Sequence, residues 1–417
     1  LGGNWNHATG GIFNNNARAV GFNGNAGDQN VNFTSSETFG YIIVNKTSGN
    51  VVFNCSALID GGNSGFPLIM QNGNIDLKGN TLTFNMWKSP STAHNVSVAG
   101  GGTRQIFSSS GTGVFSFTHS DGTQRVTTVT SSASTLLSFG TNVIVTVGTP
   151  GGANFGGVNF GSSITTINGT LRLNTRGFVD VNPPTYATNS LLQYNTGGTY
   201  NRSNEWKTTT GPGYPYNVQV SNSTTLLPGG ITAPTNYRAV ALNLAGSLTI
   251  DAGAKFDMSN SAANDMTVPL TAGLDINISG TLVASQSAGG NVMLGRSWTR
   301  NTGGVFTQYT RSVTFNTSNN GTLTAPTGGE TFYDAVINKP NTGTAPATFV
   351  GYTITLNSPL SITNALTFTS GYFLTGATNI LTMAAGSSSS GGGYESFVSG
   401  PMKKVGTTNY TFPVGKI

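Results

Sequence analysis

An internal duplication is the feature that most constrains this chain. Sliding the sequence by 293 residues aligns Trp5–Lys46 with Trp298–Lys339 without a gap, and 15 of those 42 positions are identical. The matches include a Trp (Trp5/Trp298), three Phe (Phe13/Phe306, Phe22/Phe315, Phe39/Phe332), Arg18/Arg311, Glu37/Glu330 and the dipeptide Asn45-Lys46/Asn338-Lys339. Compositional bias inflates coincidences at Gly, Thr and Asn, but it does not bring rare residues into one register. A repeat of this kind points to an architecture built by stacking similar units.

Within the repeat, apolar residues alternate with small or polar ones, as in Val20-Gly21-Phe22 and Val313-Thr314-Phe315, the period-2 pattern of a strand. A shorter phrase, Gly-Ser/Thr-Leu-polar-apolar, recurs at Gly169, Gly246, Gly280 and Gly321 and reads as a turn followed by a short strand. Gly, Thr, Asn and Ser together make 206 of the 417 residues, which disfavours helix. Aromatic residues at 10% argue against disorder. The expected fold is all-β, an elongated parallel β-helix or solenoid, with tandem β-sandwich domains as the alternative. At about 22 residues per coil and about 4.8 Å between strands, a solenoid of this length forms a rod of roughly 90 Å.

The expected organisation is a first solenoid unit over 1–188, an aromatic-rich excursion loop over 189–217, a solenoid continuation over 218–292 and a second repeat unit over 293–384. A Gly/Ser-rich linker at 385–393 and the start of a further module at 394–417 complete it. Because Leu1 is neither a Met nor part of a leader, the chain reads as a mature product or an internal piece.

Charge narrows the chemistry. Only 8% of residues are charged, the net charge is +5, and Lys403-Lys404 is the one adjacent basic pair, so no nucleic-acid partner is expected. No apolar run is long enough for membrane insertion as a helix. Cys55 is alone, and His7, His94 and His119 lie far apart and read as polar surface or turn residues, so neither a disulfide nor a metal or other cofactor is expected. The closest carboxylate pairs, Asp251 with Asp257 and Asp265 with Asp275, are spaced as solvated turn residues, and there is no Asp-x-Asp pair. Thr127–Thr130 does not extend into a regular Thr-x-Thr array. No catalytic residue is assigned. With so few charges, stability is expected to vary little with salt, or with pH between about 5 and 9.

The best binding candidate is the 189–217 stretch. Tyr194, Tyr200, Trp206, Tyr214 and Tyr216 offer flat faces for sugar rings, with Arg202 and Glu205 beside them. The competing reading is that these rings pack down and pin the segment. For the repeated Trp5/Trp298 and Arg18/Arg311, a structural role such as stacking between coils is expected.

Val398, Gly400, Pro401, Gly406 and Phe412–Lys416 lie within Tyr394–Lys416. That segment resembles one that recurs in long, repeat-rich, adhesin-like surface proteins of Bacteroidota exported by the type IX secretion system. The Trp…Gly-Gly-x-Phe…Asn-Lys unit is similar to their filler repeats, as is 191–228. The resemblance covers about half of the chain. It implies a secreted, cell-surface location, transient contact with the export machinery, and a role in gliding, biofilm or adhesion. Such proteins end in a C-terminal sorting domain that these residues do not resemble, so the expectation is an internal or trimmed piece of one. The expectation is a non-enzymatic structural or adhesive segment, contacting glycans or abiotic surfaces through many weak sites. Alternatives are a carbohydrate-binding module or polysaccharide-degrading enzyme, and a fibre subunit that self-associates.

Overall fold

The computed structural model describes residues 1–62, 65–88, 93–119, 123–149, 152, 155–228, 237–259, 265–341 and 351–417. The chain is all-β. Among the described residues the one helical element is a 3-10 turn at Tyr237–Ala239, and no helix is long and apolar enough to cross a membrane. The strand ladders run parallel, with one isolated antiparallel bridge at Gly393–Ser396. The antiparallel ladders of a hairpin-built sandwich are therefore not what these strands form.

Contacts divide the chain into two compact units, Leu1–Gly198 with Ser203–Tyr216, and Thr199–Arg202 with Asn217–Ile417. In the first unit, parallel register stacks one residue per rung. Phe39 pairs with Ile59, Ile59 with Phe84, Phe84 with Phe117, Phe117 with Val147, Val147 with Leu173, and Leu173 with Tyr194. All seven side chains are fully buried. Because strand side chains alternate between faces, the intervening residues point outward, which gives the recurring buried-intermediate pattern of Ser56–Ile59 and Thr170–Leu173. The second unit repeats the device. Leu244, Ala272, Leu294, Phe315, Ile337 and Phe368 follow one another on successive strands.

Outward positions carry amide ladders. Asn32 Nδ2 donates to Asn6 Oδ1 at 2.7 Å, Asn54 Nδ2 to Asn32 Oδ1 at 2.7 Å, and Lys78 Nζ to Asn54 Oδ1 at 2.8 Å. These outward polar side chains are thus satisfied by counterparts on neighbouring rungs rather than by ion pairs. Close main-chain approach explains some glycines. A Cβ on Gly321 would lie 1.9 Å from the Arg296 carbonyl oxygen, so nothing larger fits there.

Three boundaries differ from the sequence reading. The 189–217 stretch is not a single excursion loop, for its one long run without a strand is 202–216. Leu191–Tyr194 and Thr199–Asn201 are strands of the ladders, paired with Thr170–Leu173 and Thr225–Leu227, and the division between the two units falls within this stretch. The Gly/Ser-rich 385–393 is not a bare linker, because Ser388–Ser390 pairs with Ala365–Thr367. A parallel ladder is held by main-chain groups, so serine suffices. Nor does a separate module start at 394. Ser396–Ser399 pairs with Gly371–Leu374, and Met402–Lys404 with Leu381–Met383.

Candidate functional site

The seven residues expected to bind sugar are divided between the two units. In the first, Tyr194 follows Leu173 in the buried column, and its hydroxyl donates to Glu205 Oε1 at 3.1 Å. The Tyr186 hydroxyl donates to the Glu205 carbonyl at 3.1 Å, and burial beside the Glu205 charge pushes that phenol well above its usual range. Ser203 N–H donates to Glu205 Oε1 at 2.8 Å. Trp206 and Glu205 are fully buried, while Tyr214 and Tyr216 are half-buried. Burial raises the Tyr214 phenol and lowers the Lys207 ammonium, the latter partly offset by Glu205.

In the second unit, Tyr200 pairs with Leu226 and heads the column Leu226, Phe256, Leu282, Phe306. Arg202, 1% exposed, gives its guanidinium to three main-chain carbonyls: Pro228 at 3.0 Å, Ala241 at 2.6 Å and Val240 at 3.1 Å. A platform of solvent-facing rings over 189–217 is therefore corrected to a packed polar-aromatic core. Tyr194 and Tyr200 are buried in ladder columns and Trp206 is fully buried outside them, so none of the three presents a face to a sugar. Tyr194→Phe should cost about 1.5–3 kcal/mol in a urea titration, the range for a bond to a charged acceptor, with glycan retention unchanged.

What the sequence noted but did not explain is a node built twice. Trp5 Nε1 donates to Glu37 Oε2 at 3.0 Å, and Trp298 Nε1 to Glu330 Oε2 at 2.9 Å. Each indole lies edge-on to two phenylalanines: Phe13 and Phe39 at 4.7 and 5.4 Å, Phe306 and Phe332 at 4.7 and 5.2 Å. The same glutamate oxygen takes a second donor, His7 Nδ1 at 2.7 Å in one copy and Arg300 Nε at 2.8 Å in the other, at matching positions of the repeat. The turn at 15–18 is duplicated too. Arg18 N–H donates to the Asn15 carbonyl, Arg311 N–H to the Gln308 carbonyl, and Asn16 and Tyr309 both have positive φ. The repeated Trp thus has a structural role. The arginine side chains differ, for Arg18 is exposed and Arg311 Nη1 bonds the Ser287 carbonyl at 3.0 Å.

The repeated lysine is also interior. Lys46 Nζ donates to the Gly24 carbonyl at 3.0 Å and to Gln29 Oε1 at 3.2 Å, and Lys339 Nζ to the Gly295 carbonyl at 3.0 Å. Gly73 and Gly371, both at positive φ, abut the lysine stems, where an added Cβ would lie 2.9 and 2.8 Å from the lysine Cβ. Burial lowers both ammonium groups, for Lys46 with partial offset by Asp28, and Lys339 reaches about 8. Two fully buried lysines are unusual in a surface-rich composition. The Asn-Lys recurrence was the available signal.

The remaining candidates are individually satisfied. Asp251 accepts from Gln219 Nε2, and Asp257 from Lys255 Nζ and Ser259 N–H. Asp265 accepts from Ser259 Oγ. Asp275 is gripped by Arg296 at 2.8 and 2.5 Å. Burial pushes its carboxyl up, but bonds from Arg296, Ser297 N–H and Ser247, together with the Arg296 charge, bring it below its usual value. His94 is not a surface residue. It is fully buried, with Nδ1 2.7 Å from the Asn85 carbonyl and Nε2 3.2 Å from that of Gly62. His119 Nε2 lies 2.7 Å from the Phe155 carbonyl. Cys55 is buried, as a small apolar residue would be. Among the described residues no three His, Cys, Asp or Glu side chains converge on a metal-sized site. No family model matches this chain, and comparison with curated proteins and with solved structures finds no match.

Proposed function

We propose that this chain is a structural and adhesive segment of a long secreted surface protein, folded as a parallel β-solenoid and acting as an extended stalk. The observation that carries the reading is the continuous column of paired residues. Within the Phe39–Tyr194 column each strand meets its successor in parallel after a step of 20 residues (Phe39 to Ile59) to 33 residues (Phe84 to Phe117). Parallel partners joined by further strands, rather than by helices, suit a chain that winds around one axis. The resemblance of Tyr394–Lys416 to type IX-exported adhesins supports the extracellular placement. The duplicated Trp-Glu node supports a modular stalk.

A sugar-cleaving enzyme needs two carboxylates facing one bond. Here each aspartate of the two candidate pairs is engaged by its own donors, which favours the scaffold reading. Small-angle X-ray scattering tests the stalk. At one coil per 20–33 residues and about 4.8 Å per coil, an elongated particle on the order of 60–100 Å long is expected. A compact, near-spherical particle would overturn it.

A further inference from the structure

In the second unit, 389–393 and 411–414 line a cleft of about 420 Å³ together with Phe397. That size falls within the roughly 300–1,000 Å³ of small-ligand sites. One wall is drawn from the phrase Phe412–Lys416, the other from the strand Ser388–Ser390 and the glycines after it. Two rings are held in place by neighbours: Phe412, 44% exposed, meets the Tyr410 ring edge-on at 5.0 Å, and Phe397 packs on Tyr372 at 4.7 Å. Pro413 lies against Gly392, where an added Cβ would fall 2.8 Å from the proline Cβ. A Cβ on Gly393 would meet nothing within 4 Å, so this glycine leaves open a space that a side chain would take.

The polar part of the lining is uncharged. Ser390 and Thr411 are exposed, and the Ser390 hydroxyl sits 3.5 Å from Thr367 Oγ1, a long contact that leaves it able to turn to a ligand. The Lys404 ammonium, 5.3 Å from the Tyr410 ring centre, is taken up by the Ala384 and Ser387 carbonyls. Rings, hydroxyls and peptide groups around one concave space match the two sides of a pyranose. Its C–H face packs on an aromatic ring, and its hydroxyl rim bonds to small polar groups. We propose that this cleft binds neutral sugar units of a glycan, with one ring packed on Phe412 and hydroxyls bonded to Ser390, Thr411 and the glycine main chain. A carboxylate or phosphate would lose its hydration here without gaining a counter-charge. A peptide added as a strand would need a longer run than the three residues Ser388–Ser390, beyond which Gly392 meets Pro413. The proposal gives the adhesive reading a contact site and rests on it.

Calorimetric titration of the full chain with maltohexaose, cellohexaose and mannohexaose tests it, with tetragalacturonate and an uncharged hexapeptide as contrasts. At least one neutral hexaose should bind, with little dependence on salt, and neither contrast should. Phe412→Ala should weaken that binding about tenfold or more. Gly393→Phe, which fills the cleft from a position where a side chain meets no neighbour, should weaken it by at least as much with an unchanged melting temperature. No binding of any of the neutral hexaoses, equal or tighter binding of either contrast, or unaltered binding by either variant would each overturn the proposal. Any of these alongside scattering from an elongated particle would leave the stalk reading standing, so the two failures are distinguishable.

Discussion

Glu330→Ala should destabilise the second unit by about 3–5 kcal/mol, the cost of leaving one member of a buried ion pair uncompensated. Glu330 is 5% exposed, and its Oε2 holds both the Trp298 indole N–H and Arg300 Nε, while Oε1 accepts the Thr331 N–H at 3.0 Å. Removing the carboxylate leaves the Trp298 indole N–H, packed against Phe306 and Phe332, without its acceptor, and takes from the half-buried Arg300 its counter-charge. Arg300 keeps only its carbonyl partners, Gly304 at 3.3 Å and Gly329 at 2.8 Å. Glu37→Ala, the same change in the first copy, should cost less, because its partner there is His7 rather than a permanently charged arginine. Urea titrations of the two variants, each against the parent, read the difference. A loss below about 1 kcal/mol for Glu330→Ala, as for a solvent-screened pair, would show that the node contributes little.

Stability should also rise, not fall, as pH increases through the mildly alkaline range. Lys339 is buried with an ammonium lowered from 10.5 to about 8. Below about 8 both folded and unfolded chains carry the proton, and the folded state bears the full cost of the buried charge. Between about 8 and 10.5 the unfolded chain binds more protons, so stability climbs with pH, by about 3 kcal/mol over the whole interval. The readable window ends near 10, because burial raises the phenols of Tyr186 and Tyr372, and their contribution is lost once unfolded tyrosines ionise. Melting temperature measured against pH for the parent and for Lys339→Met isolates the effect, since the variant should rise less steeply, keeping only what the lowered ammonium groups of Lys46 and Lys207 contribute. Parallel profiles would mean that Lys339 is not the source. If that slope is found, the pH-independence expected from composition up to about 9 ends at its upper edge, because a charge count does not reveal which charges are interior.

The all-β class and the parallel stacking were legible because they depend on patterns that repeat. Val20 and Phe22 face the same way as Val313 and Phe315, and the structure pairs Val20 with Ile42 and Val313 with Ala335 at the same 22-residue step. The candidate site was not legible. Tyr194 looks like a binding aromatic beside Gly and Asn, yet it occupies the rung after Leu173, where a large ring fills the column. Ser388–Ser390 looks like a linker, because side chains say little where the main chain does the pairing. The interior roles of Lys46, Lys339, Arg202 and His94 were hidden for a related reason: their partners are mostly main-chain carbonyls, which carry no residue signature.

The uneven step between rungs has an evolutionary consequence. Twenty residues separate Phe39 from Ile59 and thirty-three separate Phe84 from Phe117, yet both pairs stay in phase. Insertions and deletions between rungs therefore leave the paired core undisturbed. A lineage can rewrite what such a molecule displays to its surroundings, loop by loop, without renegotiating how it folds.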